Sequence, residues 1–269
     1  MEFVTDSRSV KGRFHDVNED SFICNDNFIV IADGMGGEAN GEVASNIAIK
    51  TISSVLNENI ELKYSEKDYK DIAFFAISEA DKEISNYVLS HPEADGMGTT
   101  VLLLIRNGRN LYIAWCGDSH CYRYQPHKSL CSLTIDHSYV QQLIDENKIT
   151  IEESYTHPDN NLVTRYVGGG KDTCRPDFIT SYLEDDTVVI LCSDGLSGYC
   201  RSEDIKSEID SSNLKDLPER LIELAVRHGS EDDITIVTLS SKCKSIHASG
   251  LIMGWLKRLF HSKDFRDNI

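Results

Sequence analysis

Thr99–Cys116 reads TTVLLLIRNGRNLYIAWC. Two apolar runs, Thr99–Arg106 and Asn110–Cys116, flank Asn107-Gly108, the dipeptide best suited to the positive backbone angles of a two-residue hairpin. The spacing predicts two antiparallel strands. The same pattern recurs upstream, where Phe22–Cys24 and Phe28–Ala32 enclose Asn25-Asp26-Asn27. Between these pairs, Gly41–Leu56 carries Ala44, Ile47, Ala48, Thr51, Ile52 and Val55 at helical spacing, and Lys67–Leu89 does so with Ile72, Ala73, Ala76, Ile77, Ala80, Ile84 and Tyr87. Both are expected to be amphipathic helices facing a core. Downstream, Cys121–Gln125 is read as continuing the meander, and Phe178–Leu183 with Thr187–Cys192 as a further strand pair around Glu184-Asp185-Asp186. Helical runs at Ser202–Ile209 and Leu217–His228 precede a last strand, Ile234–Leu239. The polar stretch Asp136–Lys171 has one short helix, Tyr139–Glu146, and reads as a surface insert near a site or as a solvated loop. Strands that pair by hairpins, with helices in blocks, give an α+β class of antiparallel sheets covered by helices. With no repeat and no Pro/Gly-rich linker before about Ser240, residues 1–244 are expected to form one domain.

Composition narrows the function. A chain of 269 residues with 40% hydrophobic and 26% charged residues can bury a proper core. Its net charge of -17 would repel a nucleic-acid backbone over most of the surface. A phosphorylated substrate would be repelled too, unless cations reversed the sign locally. The eight cysteines are read as reduced: Met1–Val10 has no apolar signal core, several cysteines lie in strand-like apolar runs, and none are spaced C-x-x-C. No apolar stretch is long enough to span a bilayer, so the expected location is the cytoplasm.

Four short segments place carboxylates at strand ends: Asn18-Glu19-Asp20, Asp33-Gly34-Met35-Gly36-Gly37, Ser193-Asp194-Gly195 and Asp232-Asp233. Each Asp-Gly alone is an ordinary turn signal. Together, Asp20, Asp33, Asp194 and Asp232 would repel one another unless cations held them. Oxygen-only ligands favour Mg²⁺ or Mn²⁺. Two such ions can acidify a water bridging them and aim it at phosphorus.

The ordered set K-G-R-F-H-D-V-N-E-D-S, V-I-A-D-G-M-G-G, G-M-G-T-T-V-L, A-W-C-G-D-S-H, D-H-S, V-V-I-L-C-S-D-G-L and E-D-D-I-T-I-V-T-L, running from Lys11 to Leu239, resembles the PPM family of metal-dependent type 2C protein serine/threonine phosphatases. The resemblance implies two antiparallel sheets packed as a sandwich between helix layers, with a binuclear metal centre at one end. It implies that Asp33 bridges both ions, that the Gly34 carbonyl binds one of them, and that Asp194 and Asp232 hold the other. Glu19 and Asp20 would hold metal-bound waters or bind directly, and Asp118 would serve a third, weaker site known in bacterial relatives. Thr99 and Thr100 match a strand start read as structural. The glycine-rich loop after Asp33 lacks the histidine that animal members use as a proposed general acid, which is the bacterial form. The leaving oxygen would then be protonated by water on the metals or by another histidine.

Three positions depart from the family pattern. His15 stands where an arginine usually clamps the phosphate, a bidentate grip that histidine cannot reproduce. It either binds phosphate when protonated, supplies the missing acid, or fills space. Arg13, if on a strand, would point to the same side and could reach in. His120 replaces the arginine usual after G-D-S, and Asp233 stands where asparagine is common, adding negative charge beside the metals. His137 and His157, in the family's flap region, are read as solvated or capping residues, and Arg165 as part of the turn after the flap rather than a phosphate ligand.

Beyond the last strand, Leu251, Ile252, Trp255, Leu256, Leu259 and Phe260 recur at helical spacing beside Lys257, Arg258, His261 and Lys263. Residues 245–269 are thus expected to be a basic amphipathic tail whose 249–263 helix docks on the domain, a partner or a membrane surface. The expected activity is hydrolysis of phosphoserine and phosphothreonine in proteins, opposing a serine/threonine kinase. The alternatives are a pseudophosphatase used as a binding module and a phosphatase of small metabolites.

Overall fold

The protein is described by a computed structural model over residues 2–36, 40–60, 64–126, 128, 130–211, 214 and 216–242. Gly37 and the 245–269 tail lie outside the described residues. Two antiparallel sheets dominate. One is ordered β2 (Asp20–Cys24), β3 (Phe28–Met35), β5 (Val101–Asn107), β6 (Asn110–Cys116) and β9 (Asp177–Tyr182), with β4 (Gly98–Thr99) paired to the end of β3. The other is ordered β1 (Glu2–Val10), β11 (Ile234–Lys242), β10 (Val188–Cys192), β7 (His120–Tyr124) and β8 (Cys131–Ser132).

The alternation of apolar residues sorts the core into three layers. On β5, Val101, Leu103 and Ile105 face α1 (Gly41–Asn59) and α2 (Glu66–Ser90), packing on Ala48, Ile52, Ala73 and Ile77. Leu102 and Leu104, one residue out of step, face the opposite sheet and meet Val189, Leu191, Val237 and Leu239. The outer face of that second sheet, through Val188, Ile190 and Ile236, packs on α6 (Ser202–Asp210) and α7 (Leu217–Arg227). The result is four layers, helix–sheet–sheet–helix, as the family resemblance implied. Small residues on the inward stripe of α1 and α2 (Ala44, Ala48, Ala73, Ala76, Ala80) let both helices lie close to the sheet. Ser65 starts α2 with a capping box: its side chain takes the Asp68 N–H while Asp68 takes the Ser65 N–H.

Two expectations about connectivity are corrected. Cys121–Gln125 does not continue the meander. Gly117, at φ +127°, turns the chain after β6, and β7 joins the other sheet beside β10. Likewise β9 and β10 do not pair with each other: β9 runs beside β6, whereas β10 lies between β7 and β11. A short polar linker between apolar runs fits a hairpin and a sheet crossing equally well, and the buried Leu183 and Thr187 decide for the crossing. Finally, β1 was not anticipated. Its residues, EFVTDSRSV, are mostly polar, which an edge strand paired only with β11 tolerates. The insert holds α3 (Tyr139–Asp145) and a second short helix, α4 (Ile151–Ser154). No described helix is long and apolar enough to cross a membrane.

Candidate metal centre

The sandwich brings five chain segments to one end. Asp20 opens β2 and lies opposite Asp33 in the β2–β3 register. Asp118 follows β6, Asp194 follows β10 at the start of a short helix, α5 (Asp194–Ser197), and Asp232 precedes β11. The backbone at Asp33 is fixed from the neighbouring strand: its carbonyl accepts the Thr100 N–H at 2.8 Å and the Thr99 hydroxyl at 2.8 Å, and its N–H donates to Thr100 Oγ1 at 3.1 Å. Thr99 and Thr100 are therefore structural in a specific sense: they hold Asp33 in place.

Asp20 is buried, and its Oδ2 accepts the Ser193 hydroxyl at 2.8 Å. Asn18 accepts the Asp20 N–H at 3.0 Å and donates to Ser9 Oγ at 2.9 Å. Asp20 Oδ1, by contrast, is buried with no hydrogen-bond partner. An unsatisfied carboxylate oxygen costs about 1–3 kcal/mol or more unless something absent from the polypeptide meets it. The electrostatics agree. Burial, then the neighbouring aspartates, push Asp33 well up, with Asp20, Asp194, Asp232 and Asp118 all contributing. Burial raises Asp20 to about 7, Asp118 to about 7 and Asp194 to about 8, again reinforced by other carboxylates. Asp232 is raised chiefly by burial, although its side chain stays 39% exposed.

These residues fit hard cations. Asp20, Asp33, Asp118, Asp194 and Asp232 offer only oxygen and one oxygen of Asp20 is orphaned, while the one group of three ligand atoms within 4.8 Å of one another among the described residues is His15, Asp232 and Asp233. A Cβ on Gly34 would meet the Gly41 carbonyl oxygen at 2.2 Å and the Glu19 carbonyl oxygen at 2.7 Å, so no side chain can stand there. Gly41, at the start of α1, is equally closed: a Cβ there would lie 2.1 Å from Glu19 Oε2. Glu19 thus packs at a helix N-terminus, and burial raises its pKa.

A different device holds the rim. Residues 11–19 form a loop rather than a strand, so the expectation that Arg13 and His15 share a strand face fails. Asp233, only 3% exposed, ties the loop down: Oδ1 accepts the Gly12 N–H at 2.7 Å and Oδ2 the Glu19 N–H at 2.6 Å. His15 Nδ1 lies 3.1 Å from the same Oδ2 and its Nε2 lies 3.9 Å from Asp232 Oδ1. The ligand atoms of His15, Asp232 and Asp233 all fall within 4.8 Å of one another. Asp233, opposed by burial and assisted by Asp232 and Glu19, raises the His15 pKa above 6.5. Arg13 is directed elsewhere: its guanidinium sits 5.4 Å from the Phe14 ring, while its backbone N–H donates to the Glu231 carbonyl. Phe14 itself is 69% exposed.

Sequence reasoning missed the residues behind Asp118. Asp136 is a carboxylate whose pKa burial raises, and its charge bears on Asp118. His120 faces it with Nε2 at 3.2 Å while Nδ1 donates to the Asp118 carbonyl at 2.9 Å. His120 therefore answers a buried acid, a task suited to the arginine usual there. His137, expected to be solvated or capping, is 5% exposed. Its Nδ1 accepts the Gly117 N–H at 3.2 Å, so Nε2 carries the proton and donates to Asp177 at 3.1 Å. Arg165 pairs with that same Asp177 oxygen at 3.3 Å. His157 accepts the Asp159 N–H in the insert, a local turn contact. The D-H-S stretch was visible as a motif, but nothing local marked Asp136 and His137 as buried.

Comparison with known proteins agrees with this geometry. The family described as "Protein phosphatase 2C" matches residues 15–231. The serine/threonine phosphatase Stp of Listeria monocytogenes is 34% identical over 242 residues, covering 88% of this chain and 93% of that protein. The serine/threonine protein phosphatase PstP of Mycobacterium tuberculosis is 32% identical over 231 residues, 86% of this chain but only 43% of that longer protein. The crystal structure of the PstP catalytic domain in complex with two manganese ions superposes with a TM-score of 0.77 at 29% identity, covering 90% of this chain and 99% of that one. A site of convergent strand-end aspartates, on this four-layer sandwich and matched over this span, leaves one assignment: the chain belongs to the protein phosphatase 2C family.

Proposed function

We propose that the protein hydrolyses phosphoserine and phosphothreonine in protein substrates, using divalent cations held by Asp20, Asp33, Gly34, Asp118, Asp194 and Asp232. The observation that carries this reading is the buried, unpartnered Asp20 Oδ1 among carboxylates that raise one another's pKa. Bound Mn²⁺ or Mg²⁺ would neutralise that charge, attract the phosphate into an acidic protein and acidify a water for attack on phosphorus. Two ions are expected, by analogy with the manganese complex of PstP, and Asp118 would serve a third.

The polypeptide supplies the rest. Asp33, anchored by Thr99 and Thr100, faces both halves of the site; Asp194 and Asp232 come from the second sheet; Glu19 and Asp233 position the loop that carries His15. A protonated His15 would hold the phosphate as a point charge and is placed to hand a proton to the leaving oxygen. Arg13 would approach substrate only if it left Phe14. The phosphatase unit would span 1–244 and oppose a serine/threonine kinase in the cytoplasm. The basic 245–269 segment would add a contact with a partner or membrane surface, tested by truncation after Lys244 and liposome flotation. The decisive experiment is phosphopeptide hydrolysis with Mn²⁺ and with a chelator. Turnover that needs the metal is the expected result; absent or chelator-resistant turnover would sink the proposal.

A further inference from the structure

We propose that Asp81, a buried carboxylate on α2, is a positioning residue: it clamps the end of the 136–171 insert onto β4 and so fixes the backbone that presents Asp33. This role rests on the metal-dependent activity proposed for the site. Asp81 lies on the inward side of α2 beside Ala80 and Ile84, where a carboxylate loses its water and needs other partners. What meets it is backbone. Its Oδ1 accepts the Gly168 N–H at 2.8 Å and the Gly170 N–H at 3.1 Å. Both glycines have positive φ, +111° and +82°, a conformation that lets the turn aim two amides at one oxygen. Hydrogen bonds to an ionised acceptor are about twice as strong as neutral ones.

The clamp leads to the metal centre by short steps. Val167, next to Gly168, pairs with Thr99 through two backbone bonds: the Thr99 N–H donates to the Val167 carbonyl at 2.9 Å, and the Val167 N–H to the Thr99 carbonyl at 2.8 Å. Thr99 in turn donates its hydroxyl to the Asp33 carbonyl at 2.8 Å and lies opposite Gly34 in the β3–β4 register. These parts have little slack between them. A Cβ on Gly168 would meet Ile84 Cγ2 at 2.7 Å, and one on Gly98 would meet the Tyr166 ring at 2.7 Å.

The other end of the insert is tied at Gly117, beside Asp118, whose carbonyl-bearing neighbour accepts the His137 N–H at 3.0 Å. The two ends meet where the Thr164 N–H donates to the His137 carbonyl at 2.7 Å. The insert is thus fastened at two points, each next to a candidate ligand, and Asp81 anchors the second. Without its carboxylate, the Gly168 and Gly170 amides lose their acceptor, and the turn is free to draw Val167 and Thr99 away from Asp33.

Titration calorimetry with Mn²⁺ and kinetics on a phosphopeptide test this. Asp81→Ala is expected to weaken Mn²⁺ binding about tenfold. Its kcat should fall at limiting Mn²⁺ and recover as Mn²⁺ is raised, with KM for the peptide unchanged. Asp81→Asn keeps an accepting oxygen in place and should restore Mn²⁺ affinity. A lower melting temperature with unaltered Mn²⁺ affinity in the alanine variant would mark a merely structural residue and overturn the role alone. A wild type that binds no Mn²⁺ would overturn the proposed activity and this role with it. If Asp81→Ala does not fold, hydrogen exchange in the wild type decides. Coupling between sites is reciprocal, so Mn²⁺ should slow exchange at the Gly168 and Gly170 amides by a larger factor than in β1. Equal slowing at both places would overturn the proposal.

Discussion

The two sides of the candidate site are built on different principles. The inner wall (Asp20, Asp33, Asp118 and Asp194) hangs on strand ends, with its backbone fixed by ladder register and by Thr99 and Thr100. The outer rim, residues 11–19, has no ladder and is tied chiefly by one buried side chain, Asp233. The wall concentrates carboxylates whose ionisation is opposed by burial and by one another. The rim is open and half-exposed at His15, whose protonated form Asp233 favours. On the proposed function, such a division would leave metal affinity to the fold and substrate contacts to a loop.

The comparison breaks most sharply at Asp33. Asp33→Ala should abolish metal-dependent turnover on phosphopeptides, since it removes the carboxylate that feels Asp20, Asp118, Asp194 and Asp232 together. Above the raised pKa values of the cluster, the same change should raise the melting temperature of the metal-free protein by relieving repulsion, about 2–4 °C for each kcal/mol gained. Calorimetry in chelator checks it. A variant that is inactive and also less stable without metal would show that Asp33 is a packing residue.

Substitution at Asp233 tests the rim. Asp233→Ala deprives the Gly12 and Glu19 N–H groups of their acceptor and leaves His15 without its closest anion. Removing a group that orients others at a metal site typically costs about 10–100-fold in activity or affinity. That range is expected in kcat/KM, with a smaller loss for Asp233→Asn, which keeps one accepting oxygen. Near-normal kcat/KM in the alanine variant would mean that the loop is held by something else.

How far the sequence could be read follows from the same contrast. Asp33, Asp194 and their glycines announced themselves because an Asp-Gly at the end of an apolar run is a local pattern, and strand ends converge in any sandwich. The hairpins at Asn25–Asn27 and Asn107-Gly108 were legible for the same reason. Where contacts are long-range the pattern was silent. Ser193 matters because Asp20, far away in the chain, accepts its hydroxyl; His137 matters because Gly117 bends toward it. The crossing after β6 turns on a single positive φ, and β1 is an edge strand with little apolar pattern to betray it.

A smaller effect is expected from His15→Arg. If His15 binds phosphate as a cation, wild-type KM should rise as pH passes its raised pKa, whereas arginine stays charged and its KM should stay flat. At neutral pH the arginine variant should bind a few-fold tighter, about 1 kcal/mol, through its paired N–H donors. Steady-state kinetics across pH decide this. Parallel KM profiles would remove His15 from phosphate binding, and a collapse of kcat in the variant would assign it the proton instead.

The gentlest test needs no mutation. Asp20 and Asp118, raised to about 7, and Asp194, raised to about 8, hold protons in the folded state that the unfolded chain has released above about pH 4. Carboxylates with raised folded pKa values stabilise below the unfolded value, and that contribution is lost as pH climbs through the folded value. His15, also raised, acts in the same direction: its contribution is complete below pH 6.5 and disappears above its folded pKa. Without metal, the melting temperature should therefore fall steadily between pH 5 and pH 8. Metal competes with those protons, so the rise in melting temperature on adding Mn²⁺ should grow over the same interval. Scanning fluorimetry with chelator and with Mn²⁺ measures both slopes. A metal-free melting temperature that rises with pH would mean that the wall carboxylates are already ionised and balanced by protein groups, and the orphaned Asp20 oxygen would then need another explanation.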